Sequence, residues 1–279
     1  MIHHHRIAVS TWSLHNALGY SHANGPSGRD DAPAQPTWGQ GNLKLMDLPA
    51  ALAAHGYGRV ELCQFHIPSL DIVYLEELRD AFRSSGVIIQ TVLIDDGDIT
   101  NPATRSRDMA WIHRWIDASA RLGAVNVRAI AGKQKPTAEN IALAITGLSS
   151  LAHSAATRGI KLVTENWFDL TSTPEAVHQV LDGVDSNLGF MADTGNWSGP
   201  TKYADLQSIF ARAELCHAKV SFGAGLKMDE EDYRQCLEAS RLAGYQGPFT
   251  LIFADEGDEW AGLAAERHFI LEFLGGSKG

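Results

Sequence analysis

The sequence predicts a single-domain (β/α)8 barrel, on three observations. Short β-rich runs alternate with longer amphipathic stretches along the chain, eight such units fit into 279 residues, and several of the amphipathic stretches stop at a glycine, where helices commonly end. Strict alternation implies parallel strands with helical crossovers, and about 250 residues is the ordinary size of the closed eight-stranded form. An open doubly wound sheet is the rival. It is disfavoured because no GxGxxG follows the first strand and because polar residues end many strands instead of clustering at one switch point.

In chain order, strands are expected over residues 7–13, 59–65, 88–94, 126–130, 161–166, 188–193, 215–221 and 249–254. Helices are expected over 45–55, 74–84, 105–122, 138–158, 174–181, 202–213, 229–243 and 259–274. Gly56, Gly86, Gly123, Gly159 and Gly244 mark C-terminal stops; Thr137 and Asp229 stand as N-caps, and Pro174 follows Ser172-Thr173 at a first helical turn. Residues 19–42 break the rhythm, being rich in Gly, Pro, Asp, Ser and Asn and too long for an ordinary βα connection. After strand one they would lie on the catalytic face, as a lid or substrate loop or as plain loop. With no second boundary in view, 1–279 reads as one domain.

Hydrophobic residues at 44% and charged residues at 20% exclude disordered, collagenous and disulfide-scaffold classes. Lys and Arg total 23 against 33 Asp and Glu, a net charge of −10, which argues against nucleic acid or an anionic membrane as partner. The expected partner is a small molecule, and a homo-oligomer is left open. No run approaches the roughly 18 apolar residues of a membrane helix, and the start MIHHHRIAVS lacks a signal-peptide core, so a cytoplasmic location is expected. Cys63, Cys216 and Cys236 are far apart without CxxC spacing and read as reduced, buried thiols.

The carboxyl ends of barrel strands converge on one mouth, so chemistry is sought there. Strand one leads to Trp12 and His15; strand two carries Glu61 and leads to His66; strand three runs into Asp95-Asp96-Gly97-Asp98; strand four holds Arg128. Strand five gives Glu165 and Trp167, strand six Asp193 and Trp197, strand seven His217 and Lys219, strand eight Asp255 and Glu256. Glu165, Asp193 and His217 are about one βα unit apart. Adjacent strands lie about 4.8 Å apart, so the three can share one cation at equal height. Two carboxylates and an imidazole suit Mn²⁺, Mg²⁺, Co²⁺ or Zn²⁺. The competing reading, a private salt bridge for each carboxylate, is weakened by three ligands on consecutive strands.

Lys219 points the same way as His217 and is a candidate for an oxyanion, or a solvated rim lysine. His66 is a candidate acid or base, or a satisfied core histidine. Trp12, Trp167 and Trp197 offer faces for a sugar ring, or are buried aromatics. Arg128 is a candidate for an anionic substrate group, although an internal salt bridge to Glu61 or Asp95 is favoured; His15, Glu61 and Asp95 complete the substrate-contacting candidates. No phosphate loop is present, so a phosphorylated substrate has no support.

The order of Glu165 on strand five, Asp193 within Asp-Thr-Gly-Asn on strand six, His217 within His-Ala-Lys on strand seven, and an acid-rich strand-eight end before Gly257-Asp258 resembles the xylose isomerase-like TIM-barrel superfamily. That group includes sugar phosphate isomerases and epimerases, ketose epimerases, inosose dehydratases and endonuclease IV proteins. The resemblance spans the chain and implies that Glu165, Asp193 and His217 are three of four metal ligands. The fourth is usually a Glu near the end of strand eight, and the aligned residue here is Ala254. It implies further that carboxylates from strands five and eight shuttle a proton next to a carbonyl while the metal polarises substrate oxygens. Without the strand-eight carboxylate, Asp255 or Glu256 substitutes, a water or substrate oxygen fills the position, or one base suffices. The expectation is a divalent-metal-dependent isomerase or epimerase of a sugar or polyol-like carbonyl compound, with Glu165, His66 or Glu256 moving the proton through an enediol-like intermediate. A lyase or dehydratase of a keto-sugar or inosose, and a non-catalytic sugar-binding barrel or subunit, are the rivals. The endonuclease branch is disfavoured by the net charge of −10 and the modest His and Glu set.

Overall fold

The computed structural model describes residues 4–28, 33–184 and 187–276. Eight parallel strands close into a barrel: β1 (Ile7–Ser10), β2 (Arg59–Cys63), β3 (Ile88–Leu93), β4 (Asn126–Arg128), β5 (Lys161–Glu165), β6 (Gly189–Asp193), β7 (Leu215–Lys219) and, after the small antiparallel hairpin β8 (Phe222–Gly223) and β9 (Lys227–Met228), β10 (Phe249–Ile252). β10 pairs with both β7 and β1, which closes the ring. The helices are α1 (His15–Leu18), α2 (Leu48–Ala54), α3 (Ile72–Ser85), α4 (Arg105–Arg121), α5 (Ala138–Ala156), α6 (Pro174–Gly183), α7 (Lys202–Phe210), α8 (Glu230–Leu242) and α9 (Glu259–Gly275). The expected barrel and all eight expected strands are present. Thr137 and Asp229 cap α5 and α8 as anticipated, and of Ser172 and Thr173 it is Thr173 that caps α6, each side chain accepting an N–H of the first turn.

Seven of the expected strands run past their real carboxyl ends, and the excess becomes mouth structure. Ser10 shows why: its hydroxyl accepts the N–H of Trp12 at 3.2 Å, turning residues 11–14 into a single helical turn that runs on into α1. A local side-chain acceptor thus competes with the ladder where the site begins.

Alternation along each strand separates two cores. One face packs beneath the helices; the other fills the barrel, where Cys63, Leu93, Val163, Met191 and Leu215 form a compact apolar floor with Trp12 and Phe65 packed on it. Each floor residue lies two positions from a polar inward residue: Glu61, Thr91, Glu165, Asp193 and His217. On the outer face, Phe253 packs against α9 because Gly262 has no Cβ; one placed there would stand 2.4 Å from the Phe253 ring.

The long segment after β1 is tied to the mouth in its described parts, while residues 29–32 lie outside them. Ser21 bridges to Gln35, His22 N–H donates to Phe65 O, the Asn24 amide donates to Gln64 O and Ile67 O, and Trp38 stacks on His15 with centroids 4.0 Å apart. No helix of the described residues is long and apolar enough to cross a membrane. All three cysteines are free and buried.

Glu266, on α9, is fully buried; Oε2 accepts the Ile252 N–H at 3.1 Å, and Oε1 has no partner. Burial pushes its pKa well above the usual carboxylate range. A folded-state pKa above the unfolded one gives stability that is full below the unfolded value and lost as pH rises through the folded one. Stability is therefore expected to fall by up to about 1.4 kcal/mol per pH unit in that window. Glu266→Gln should flatten that limb in urea unfolding followed across pH; an unchanged limb counts against the assignment.

Candidate functional site

The polar inward residues end in a cavity of about 130 Å³ at the carboxyl end of the barrel. Its lining includes the expected Trp12, Asp95, Arg128, Glu165, Trp167, Asp193, His217 and Lys219, together with Ser10, Cys63, Leu93, Asn196 and Ile252.

Glu165, Asp193 and His217 are all buried and each offers a ligand atom, the three atoms lying within 4.8 Å of one another; among the described residues no other three His, Cys, Asp or Glu side chains do so. Pairing of Asp193 with His217 across β6 and β7 sets them at one height. His217 Nδ1 stands 3.5 Å from both Glu165 Oε1 and Asp193 Oδ2. Metal bonds of about 2 Å put neighbouring donors roughly 3 to 3.5 Å apart, so this spacing suits a divalent cation. Glu165 Oε2 is buried and faces Arg128 Nε at 3.2 Å, so an ion pair shares this carboxylate with the cluster.

The surroundings hold these groups in place. His217 Nε2–H donates to Glu61 Oε2 at 2.7 Å, and Thr91 donates to Glu61 Oε1 at 2.9 Å. Glu61, fully buried below the cavity, thereby fixes the imidazole with Nδ1 toward the two carboxylates, the arrangement a metal-binding histidine needs. Asn166 grips the Asp193 backbone at both N–H (2.7 Å) and C=O (3.0 Å), and Asn196 donates to Glu165 Oε1 at 3.0 Å. Gly195 N–H donates to Asp193 Oδ1 at 2.6 Å. A Cβ on Gly195 would stand 2.6 Å from the Lys219 side chain, so the Asp-Thr-Gly-Asn turn needs glycine to lie beside that lysine.

Arg128 ties the other wall together. It pairs with Asp95 Oδ1, donates to Ile94 O at 2.9 Å, and sets Nε 3.2 Å from Glu165 Oε2. Its guanidinium also lies over the Trp167 ring, 5.0 Å from the centroid. Of the two partners anticipated for Arg128, Asp95 is found and Glu61 is not. Burial raises the Glu165 carboxyl, but the charges of Arg128 and His217 outweigh it and lower the pKa to about 2. Burial alone would make His217 neutral; Glu165 and Glu61 reverse that and push its pKa well above the ordinary range. Burial pushes Asp95 up against the pull of Arg128.

Several sequence candidates stand elsewhere. His66 is buried behind the wall; its Nδ1 lies 3.0 Å from Thr11 Oγ1, and its ring packs with Phe65, His15 and Trp38. Neither His66 nor His15 lines the cavity. Trp197 turns away, donating to Thr171 O at 3.2 Å. Glu256 is exposed and does not line the cavity, and Asp255 accepts the Phe222 N–H at 2.7 Å. Neither fills the strand-eight position. Ala254 is also exposed, beyond the end of β10; the β10 residue that meets the cavity is Ile252, paired with Lys219. The supporting roles of Asn166 and Asn196 went unread, although each follows a ligand closely in sequence.

Residues 49–271 match the family described as xylose isomerase-like TIM barrel. Among solved structures, a xylose isomerase-like TIM barrel protein from Mycobacterium smegmatis in complex with magnesium is similar over 97% of this chain and 98% of its own, at 19% identity and TM-score 0.69. An L-ribulose 3-epimerase aligns over 97% of this chain and 94% of its own (17% identity, TM-score 0.70). A D-psicose 3-epimerase determined in the presence of D-fructose aligns over 96% and 99% (15% identity, TM-score 0.68). At these identities the likeness is one of fold. Comparison with curated proteins gives no match.

Proposed function

The chain belongs to the xylose isomerase-like TIM-barrel family, and on that premise we propose that it is a divalent-metal-dependent isomerase or epimerase of a small sugar or polyol-like carbonyl compound. The observation that carries this reading is the buried Glu165, Asp193 and His217 cluster opening onto a cavity. Fold relatives described as L-ribulose and D-psicose 3-epimerases support the substrate class.

Glu165, Asp193 and His217 Nδ1 would hold the cation. When bound, it supplies Lewis-acid polarisation of the substrate oxygens. Glu61 keeps the imidazole oriented, and Asn196 with Arg128 keeps the Glu165 carboxylate charged and aimed. Trp12 and Trp167 provide apolar faces for a sugar ring, and Lys219 and Asn196 provide donors for its oxygens. The reaction removes a proton from the carbon beside the carbonyl and returns one through an enediol-like intermediate. A lyase or dehydratase is the second reading, favoured by Ile252, which gives the eighth strand no carboxylate in the cavity.

The test is a panel of ketoses and inososes incubated in D2O with Mn²⁺ or Mg²⁺ and followed by NMR. Solvent deuterium entering an intact carbon skeleton is expected. Release of water moves the assignment to the lyase, and neither change with any of them rejects catalysis of this type.

A further inference from the structure

Three side chains that line the cavity can carry positive charge, and two of them are engaged: Arg128 with Asp95 and Glu165, and His217 with Glu61, Glu165 and Asp193. The third is Lys219. The residue is half-buried, and among the described residues its Nζ has neither an ion pair nor a hydrogen-bond partner, yet it is not shut away from solvent. Its place is fixed all the same. On β7 it stands two residues beyond His217, on the same face and about 6.6 Å nearer the mouth. Its N–H donates to Thr194 Oγ1 at 2.9 Å, and the Thr194 hydroxyl donates to its carbonyl at 2.9 Å. The stem runs along Gly195, where a Cβ would stand 2.6 Å from Lys219 Cδ. On the other flank its paired residue on β10 is Ile252. Neither neighbour supplies a carboxylate. Glu165 and Asp193 offset a divalent cation, Asp95 answers Arg128, and Glu61 has its oxygens taken by His217 and Thr91. The ammonium of Lys219 is left unanswered at the wall of the cavity.

From this arrangement we infer that the substrate carries a carboxylate seated on Lys219 Nζ, so that the preferred compounds are keto-sugar acids and not neutral ketoses. The inference deepens the function proposed above and rests on it for the carbonyl held at the cluster. The carbonyl end lies deep, beside Glu165, Asp193 and His217, and the acid end lies toward the mouth; Ile252 gives the carbon chain between them an apolar wall. A hydrogen bond between an ammonium and a carboxylate is about twice as strong as one between neutral groups. A hydroxyl in the same place would gain much less from the lysine, so the charge separates the acid from its neutral analogue. The ammonium is a compact donor on a flexible stem and meets a carboxylate in many orientations. A phosphate carries nearly twice the charge at neutral pH and more acceptor oxygens, which one lysine between Gly195 and Ile252 does not match.

The test uses the full chain loaded with Mn²⁺ and two matched pairs, D-fructuronate with D-fructose and D-tagaturonate with D-tagatose. Deuterium uptake gives kcat/KM, and calorimetry gives the affinity of the same four compounds. The acid of each pair is expected to exceed its neutral partner by at least about tenfold in both measurements. Lys219→Met keeps the stem beside Gly195 and removes the charge, and in it the ratio of acid to neutral compound should fall to within about threefold of unity. A merely structural role would lower both members of a pair together and leave the ratio standing. That result overturns the inference, as does a parent without preference. If Lys219→Met does not fold, Lys219→Gln is read in the same way. D-Fructose 6-phosphate favoured over D-fructuronate also overturns it, by assigning the lysine to phosphates. Exchange of neutral ketoses with no gain for the acids removes the inference and leaves the proposed function in place. Acids bound with the stated preference but never exchanged support the lysine site and remove the reaction class. Neither binding nor exchange of any compound overturns both.

Discussion

Glu165→Gln is expected to lower kcat/KM for proton exchange by about a thousandfold or more, with the protein still folded. Glu165 is buried, belongs to the cluster whose ligand atoms lie within 4.8 Å of one another, and sets Oε1 3.5 Å from His217 Nδ1. An amide there keeps the shape and can still meet Asn196, yet it removes the negative charge a cation needs and leaves the Arg128 guanidinium facing a neutral group. Thermal unfolding without metal should remain cooperative. Full activity in this variant would refute the role of Glu165, whatever the substrate.

The largest loss of stability is expected from Arg128→Leu, about 3 to 5 kcal/mol. The guanidinium is buried and contacts Asp95, Glu165 and the Ile94 carbonyl, so its removal strands two buried carboxylates. Burial would then dominate, and both carboxyls should bind protons at higher pH than in the parent. The variant should therefore lose more stability at pH 8 than at pH 5, since protonation relieves the unpaired charges. Urea unfolding at both pH values measures this, and an equal small loss at both would show that the ion pairs contribute little.

The barrel was legible because each βα unit writes its own pattern, with short apolar runs, capping residues such as Thr137 and Asp229, and glycine stops. The cluster was legible for a related reason: Glu165 and Asp193 end apolar strands and His217 lies within one, at a spacing of about one unit. What failed was the reading of strand ends. The run Phe249-Thr250-Leu251-Ile252-Phe253-Ala254 is β-rich throughout and predicts a strand up to Ala254, whereas pairing stops at Ile252 and Phe253 packs outside the barrel against Phe222 and α9. The β10 residue that reaches the cavity, Ile252, therefore stands two positions before the aligned Ala254. Glu256 misled because an acid-rich stretch before a helix resembles a ligand site; its neighbour Asp258 is the N-cap of α9. Glu61 was noticed, but its partner His217 lies 156 residues away, beyond the reach of local patterns. His66 could not be separated from a core histidine by sequence, and it packs within the aromatic group behind the wall.

Calorimetric titration of the metal-free protein with Mn²⁺, repeated on Asp193→Asn and His217→Gln, probes the cluster itself and needs no substrate. One ion per chain is expected for the parent, with affinity reduced by at least about 100-fold in both variants. No binding by the parent, or equal binding by all three proteins, would contradict the account.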